Sequence, residues 1–217
     1  MAGIDCSLLA DGPADVALLP ILEWVVRQHA RQSAVHFEWA DLRRLPSPPR
    51  MLAERITQAV ELYPCDVLFV HRDAERQNPE LRYDEIRAAV EMAKRQGFPL
   101  PHVCVVPVRM QEAWLLLDAQ AIRRAADNPN GKIPLDLPPA RRIEDLPNPK
   151  AVLYDLLSVA SGKRGRRLKR FRPEQCAPLV TQHTDDFRAL RSLSAFRRLE
   201  HDIHAVVEAL AEGSGKQ

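Results

Sequence analysis

The sequence has no close pair of cysteines: Cys6, Cys65, Cys104 and Cys176 stand far apart, with no C-x-x-C motif. That scatter excludes a disulfide scaffold, and the expectation is four reduced, mostly buried thiols in a cytoplasmic protein. No stretch stays apolar for the roughly 18 residues that a membrane span needs. The amino terminus also lacks the basic-then-apolar layout of a signal peptide. A soluble chain without a membrane partner is expected. Internal repeats and long low-complexity tracts are missing too, which leaves one large domain, or one domain with an annex, as the reading of 217 residues.

Net charge is only +2, a total that names no partner, but its distribution is uneven. Residues 1–122 hold 13 Lys/Arg against 17 Asp/Glu, whereas residues 123–217 hold 18 against 12. The basic excess peaks in GKRGRRLKRFR, residues 162–172, where Lys163, Arg164, Arg166, Arg167, Lys169 and Arg170 surround a single aromatic, Phe171. Such a stretch suits DNA or RNA backbone binding through counterion release, and it is equally the composition of a solvated loop.

Periodicity predicts an α/β fold. IDCSLLA (4–10), VHFEWA (35–40), the VLFVH run that opens VLFVHRDAE (67–75), and HVCVVPV (102–108) read as strands. Helical patterns lie between them: about 14–31, divided or kinked at Pro20; 51–63; and Pro79 to Gly97. QEAWLLLD, after the fourth strand, reads as a short apolar helix. Alternating units of this kind predict a mostly parallel sheet flanked by helices over residues 1–125. From 126 to 217 the expectation is a proline-rich excursion, 128–149, then a basic loop within a helical annex packed on the same domain, with helices at about 150–160, 173–180 and 194–211. The last residues, EGSGKQ, read as a frayed tail.

Three strands end in acids: Asp11 after the first, Asp73 and Glu75 after the third, Glu112 just after the fourth. Parallel neighbours would gather these carboxylates at the sheet's carboxyl edge, where open α/β sheets bind ligands. Crowded like charges persist only if a cation or a shared proton relieves them, and oxygen ligands suit Mg²⁺ or Mn²⁺. The alternative is a set of scattered caps and solvated loop ends.

LADGPAD followed by LFVHRDAE resembles the Toprim domain of topoisomerases, primases and overcoming-lysogenisation-defect nucleases. With RMQEAWLLLD, LPNPK and LSAFRRLEHDI, most of the chain is similar to the bacterial domain-of-unknown-function family numbered 4276, regarded as Toprim-like and met near defence genes. The resemblance implies a metal-dependent nuclease. It makes Asp11 the counterpart of the Toprim general acid or base, with Asp15 a second carboxylate at that turn. Asp73 and Glu75 become metal ligands, and Glu112 a further acid. The chain departs from the pattern twice: Asp replaces Glu in the first motif, and His71 stands where the first acid of D-x-D-x-E would fall. A histidine there suits Mn²⁺ ligation, proton transfer or weakened metal binding.

Lys150 sits just inside a helix capped by Asn148 and opened by Pro149, where the helix dipole disfavours a cation; an anionic neighbour or plain solvation would compensate. Arg72 and Arg109 lie at strand ends and suit phosphate or the acids. Two readings follow. The first is a Mg/Mn-dependent nucleic-acid phosphodiesterase. The second is a Toprim-like subunit that has lost turnover and binds nucleic acid or works beside an ATPase; a homodimer stays open in both.

Overall fold

Residues 3–214 are described by a computed structural model. The chain begins with β1 (Ile4–Leu9) and reaches β2 (Val35–Trp39) through a 3-10 segment, Pro13–Leu18, and α1 (Leu19–His29). Pro20 is why these are two pieces: at the second position of α1 its missing N–H costs nothing, whereas inside one long helix it would break a hydrogen bond. α2 (Leu52–Leu62), β3 (Val67–His71), α3 (Pro79–Arg95) and β4 (His102–Val105) complete the alternation. Asn78 caps α3 by accepting a hydrogen bond from the Glu80 amide at 3.1 Å, and Gly97, at φ 97°, supplies the left-handed turn that ends it.

The sheet is four-stranded and entirely parallel, in the order β2-β1-β3-β4. An α/β fold with a parallel sheet between helices is therefore present. Strand alternation divides the core. Cys6, Leu8, Val67, Phe69, Val103 and Val105 face one cluster with α1; Leu9, Leu68, Val70 and Cys104 face the other, with α2 and α3. β1 pairs with both β2 and β3, so connections leave it in opposite directions. The crevice between the carboxyl ends of β1 and β3 is thus the topological switch point of the sheet.

β4 stops at Val105, short of the expected end at residue 108, and a 3-10 turn, Gln111–Leu115, stands in place of the expected helix. α4 (Ala119–Ala125) precedes the proline-rich stretch, whose only regular piece among the described residues is a 3-10 turn at Ala140–Arg142. α5 (Pro149–Ala160) packs on the Gln111–Leu115 turn, and α9 (Ser194–Ser214) lies along β4 and α1. Between them the basic stretch departs from the expected loop: Gly165–Arg170 is helical (α6), followed by two short helices, α7 (Pro173–Cys176) and α8 (Leu179–Gln182), in place of one. α9 also continues past the expected end at residue 211 to Ser214; the rest of the tail, 215–217, lies outside the described residues. Among the described residues, no helix is long and apolar enough to cross a membrane.

Candidate functional site

His71 is the last residue of β3 and shares the face of Val67 and Phe69; it is almost fully buried. Its Nδ1 stands 3.0 Å from the Val105 carbonyl oxygen, which can only accept, so Nδ1 carries a proton. The ring is thereby oriented, and Nε2 is turned toward two carboxylates: 3.5 Å from Asp73 Oδ1 and 3.9 Å from Asp15 Oδ1. Asp15 is placed by the turn after β1. Pro13 opens the 3-10 segment, and Asp15 reaches back to accept from the Gly12 amide at 2.8 Å. That local bond fixes a carboxylate which is itself buried.

The chain after β3 stays alongside the chain after β4. The Arg72 amide donates to Val105, Ala74 to Pro107, and Glu75 to Arg109, the last at 2.7 Å. Glu75 and Arg109 are both left-handed, at φ 54° and 65°, a conformation that costs a residue with a side chain about 1–3 kcal/mol. Their tight turns bring the next segment back, and the Gln111 amide donates to Asp73 Oδ1 at 2.9 Å. The Gln111 side chain donates through Nε2 to Asp15 Oδ1 at 2.6 Å, while its own Oε1 is buried with no hydrogen-bond partner among the described residues. An unpaired buried acceptor is uncommon and costs about 1–3 kcal/mol. Glu112, next in the turn and also buried, receives Lys150 Nζ at 3.0 Å from the first turn of α5, where the Asn148 cap and Pro149 set the helix start.

Electrostatics follow from this crowding. Burial pushes the Asp73 carboxyl up to about 6, and the charges of Glu112 and Asp15 add to the rise; His71 and the Gln111 amide oppose it. Burial alone would lower the Lys150 ammonium, but the hydrogen bond and charge of Glu112 outweigh it and raise it. Asp11 has different surroundings. Burial pushes its carboxyl up, yet the hydrogen bond from Arg55 and the charges of Arg72 and Arg55 hold it below the ordinary range. No protein-family model, curated protein or solved structure matches this chain.

The expected set therefore divides. Asp15, His71, Asp73, Glu112 and Lys150 come together at the switch point. Asp11 instead joins a rim of ion pairs, bound by Arg55 at 2.6 Å and by Arg72 at 2.9 Å; Arg72 also pairs with Glu85. Glu75 is exposed at the same rim, 4.0 Å from Arg82. Arg72 is thus consumed by carboxylates, while Arg109 has no ion pair among the described residues and enters through its backbone. Lys163, Arg164, Arg166, Arg167, Lys169 and Arg170 lie apart, around α6. Sequence reasoning missed Gln111, an uncharged residue invisible to a count of acids, and Arg55, whose helical position in α2 gave no hint of Asp11.

Among the described residues, no group of three or more His, Cys, Asp or Glu side chains could hold a metal ion as placed. The donor types that suit a hard divalent cation are the carboxylates of Asp15 and Asp73, 3.9 and 3.5 Å from His71 Nε2, and an amide oxygen that lacks a donor among the described residues.

Lys150→Met tests the pairing on the α5 side. It leaves the buried Glu112 without its cation, and the expected loss of stability is about 1–3 kcal/mol near neutral pH, reduced from a fully buried pair because Lys150 is half exposed. Chemical denaturation should show Glu112→Gln in the same chain restoring most of that loss. If Lys150→Met is neutral alone, the pair does not hold the turn.

Proposed function

We propose that this chain is a divalent-cation-dependent phosphodiester hydrolase acting on nucleic acid. One observation carries the reading: at the switch point, buried Asp15, His71 and Glu112 crowd with half-buried Asp73 beside a Gln111 oxygen that has no partner among the described residues, with Asp73 raised to about 6. A cation drawn in among these carboxylates would relieve their crowding. The Toprim-like sequence pattern and the basic second half of the chain support the same assignment.

Asp73 and Asp15, with Glu112, would hold Mg²⁺ or Mn²⁺, which when bound would polarise a phosphate oxygen and lower the pKa of water. His71 is suited to moving a proton at Nε2, because its other nitrogen is committed to the Val105 carbonyl. Gln111 holds Asp15 and Asp73 in place, one by its side chain and one by its amide. Lys150 places a positive charge at the mouth of the group, where a scissile phosphate can compete with Glu112 for it. This assigns to Asp15 and His71 the role that the resemblance implies for Asp11.

The purified chain should cleave labelled DNA or RNA oligonucleotides with Mn²⁺ or Mg²⁺, and Asp15→Asn or His71→Gln should lower the rate by at least about a hundredfold. Unchanged rates in both variants, or no cleavage of any strand type by the wild type, would overturn the proposal. A second reading, a binding subunit beside an ATPase, is favoured by one observation: Asp11 is locked between Arg55 and Arg72. Titration calorimetry separates the two, since that subunit would give no heat with Mn²⁺.

A further inference from the structure

The groove beside α6 divides the basic stretch. Arg167 and Arg170, three residues apart, share one side of α6, and Lys163 reaches the same groove from the extended residues before the helix. These three, with Arg172, line an open groove of about 350 Å³, floored by Phe171 and bordered by Gln175 and Cys176 of α7. Arg166 and Lys169 are exposed and do not line it. Lys163 is held 4.9 Å from the centre of the Phe171 ring, and Phe171 itself packs on the core, so this cation is positioned and not merely tethered. Among the described residues, Lys163, Arg167 and Arg170 have no ion pair, whereas the fourth groove cation, Arg172, has one. The nearby carboxylate of Glu174 stands instead 3.9 Å from Arg172.

Converging cations, three of them without a carboxylate partner, on a half-rigid floor, make a site for an anion with several charges in a row. The groove adjoins the carboxylate group through one helix contact: α7 packs on α5, and α5 carries Lys150 and Tyr154. Tyr154 lies near enough to feel Lys150, Glu112 and also Glu174.

We infer that the groove formed by Lys163, Arg167 and Arg170 beside α6 is the backbone-binding groove for a nucleic-acid strand, and that Arg166 and Lys169, outside it, are only solvated charge. This deepens the reading of nucleic acid as substrate and rests on it. The test is fluorescence anisotropy with a labelled single-stranded oligonucleotide in EDTA, so that no turnover intervenes, across a potassium chloride series. Arg167→Ala with Arg170→Ala should weaken binding roughly tenfold or more at moderate salt and reduce the slope of log K against log salt by about 1.4, two phosphate contacts on a single strand. Arg166→Ala with Lys169→Ala removes the same charge and should keep the wild-type slope. Equal losses in both pairs, or no binding by the wild type, overturn the assignment. A second readout needs no variant: saturating oligonucleotide should slow iodoacetamide labelling of Cys176 and leave Cys65, also half-buried, unchanged. Equal labelling of Cys176 with and without the strand counts against the groove. Binding without cleavage would defeat only the hydrolase reading, and cleavage that ignores Arg167 and Arg170 only the groove.

Discussion

Asp73→Asn is expected to melt higher than the wild type near neutral pH while losing the proposed hydrolysis. The Asp73 carboxyl is raised from an ordinary 3.8 to about 6, first by burial and then by Glu112 and Asp15. The folded state therefore holds this proton more tightly than the unfolded chain does. Below about pH 4 both states are protonated and Asp73 costs nothing. As pH rises through the window from about 4 to about 6, the unfolded chain releases the proton first, and stability falls. Above about pH 6 the penalty is complete. A two-unit rise corresponds to roughly 2–3 kcal/mol, and because the side chain is 30% exposed, solvent screening reduces this to about 1–2 kcal/mol. Asparagine keeps an oxygen for the Gln111 amide and drops the charge, so a gain in Tm of about 2–6 °C is expected near pH 7.5, with none near pH 3.5. Mn²⁺ should raise the wild-type Tm and leave the variant unmoved. A variant that melts lower than the wild type near neutral pH would mean that the carboxylate is a net favourable partner of His71, and the cation argument would lose its footing.

Strand runs, the Pro20 division, the Pro79 start of α3 and the Asn148-Pro149 start of α5 were legible because each is a local rule: apolar runs, a missing N–H, a capping side chain. The convergence of acids at one edge was legible too, since parallel strands put their carboxyl ends together. Which acid turned inward was not. Asp11 and Asp15 are four residues apart, and the choice depends on Arg55 and Arg72, which are 44 and 61 residues from Asp11. Glu75 was misplaced because its left-handed backbone, bonded to the Arg109 carbonyl, leaves the side chain at the exposed rim. The helix in GRRLKR was hidden by its glycine and by charges that look like a solvated loop. Its two faces, one lining a groove and one not, exist only once the turn is wound.

Phe196→Ala is the substitution expected to cost most. The ring is fully buried in α9 and meets Trp114 edge to face, with centroids 5.7 Å apart and planes at 88°. Removing it leaves a cavity in the larger core, and the expected loss is about 3–5 kcal/mol by urea denaturation at an unchanged m-value. The midpoint should move in a single transition, since Phe196 packs in one cluster with Phe69 and Val105 of the sheet and Leu153 of α5. Were the sheet and the C-terminal helices separate units, the variant would unfold in two steps, with residues 1–125 unaffected. Combining Phe196→Ala with Trp114→Leu isolates the ring contact, for which a coupling of about 0.5–1.5 kcal/mol is expected. The consequence reaches the site through the backbone. Trp114 lies two residues beyond Glu112, in the same 3-10 turn whose Gln111 amide holds Asp73. Loosening that turn should lower hydrolysis although every charged residue is intact, and Phe196→Leu, which keeps most of the volume, should recover much of both stability and rate. If the rate survives Phe196→Ala unchanged, the turn is held by Asp15 and Asp73 alone, and the α9 core serves stability only.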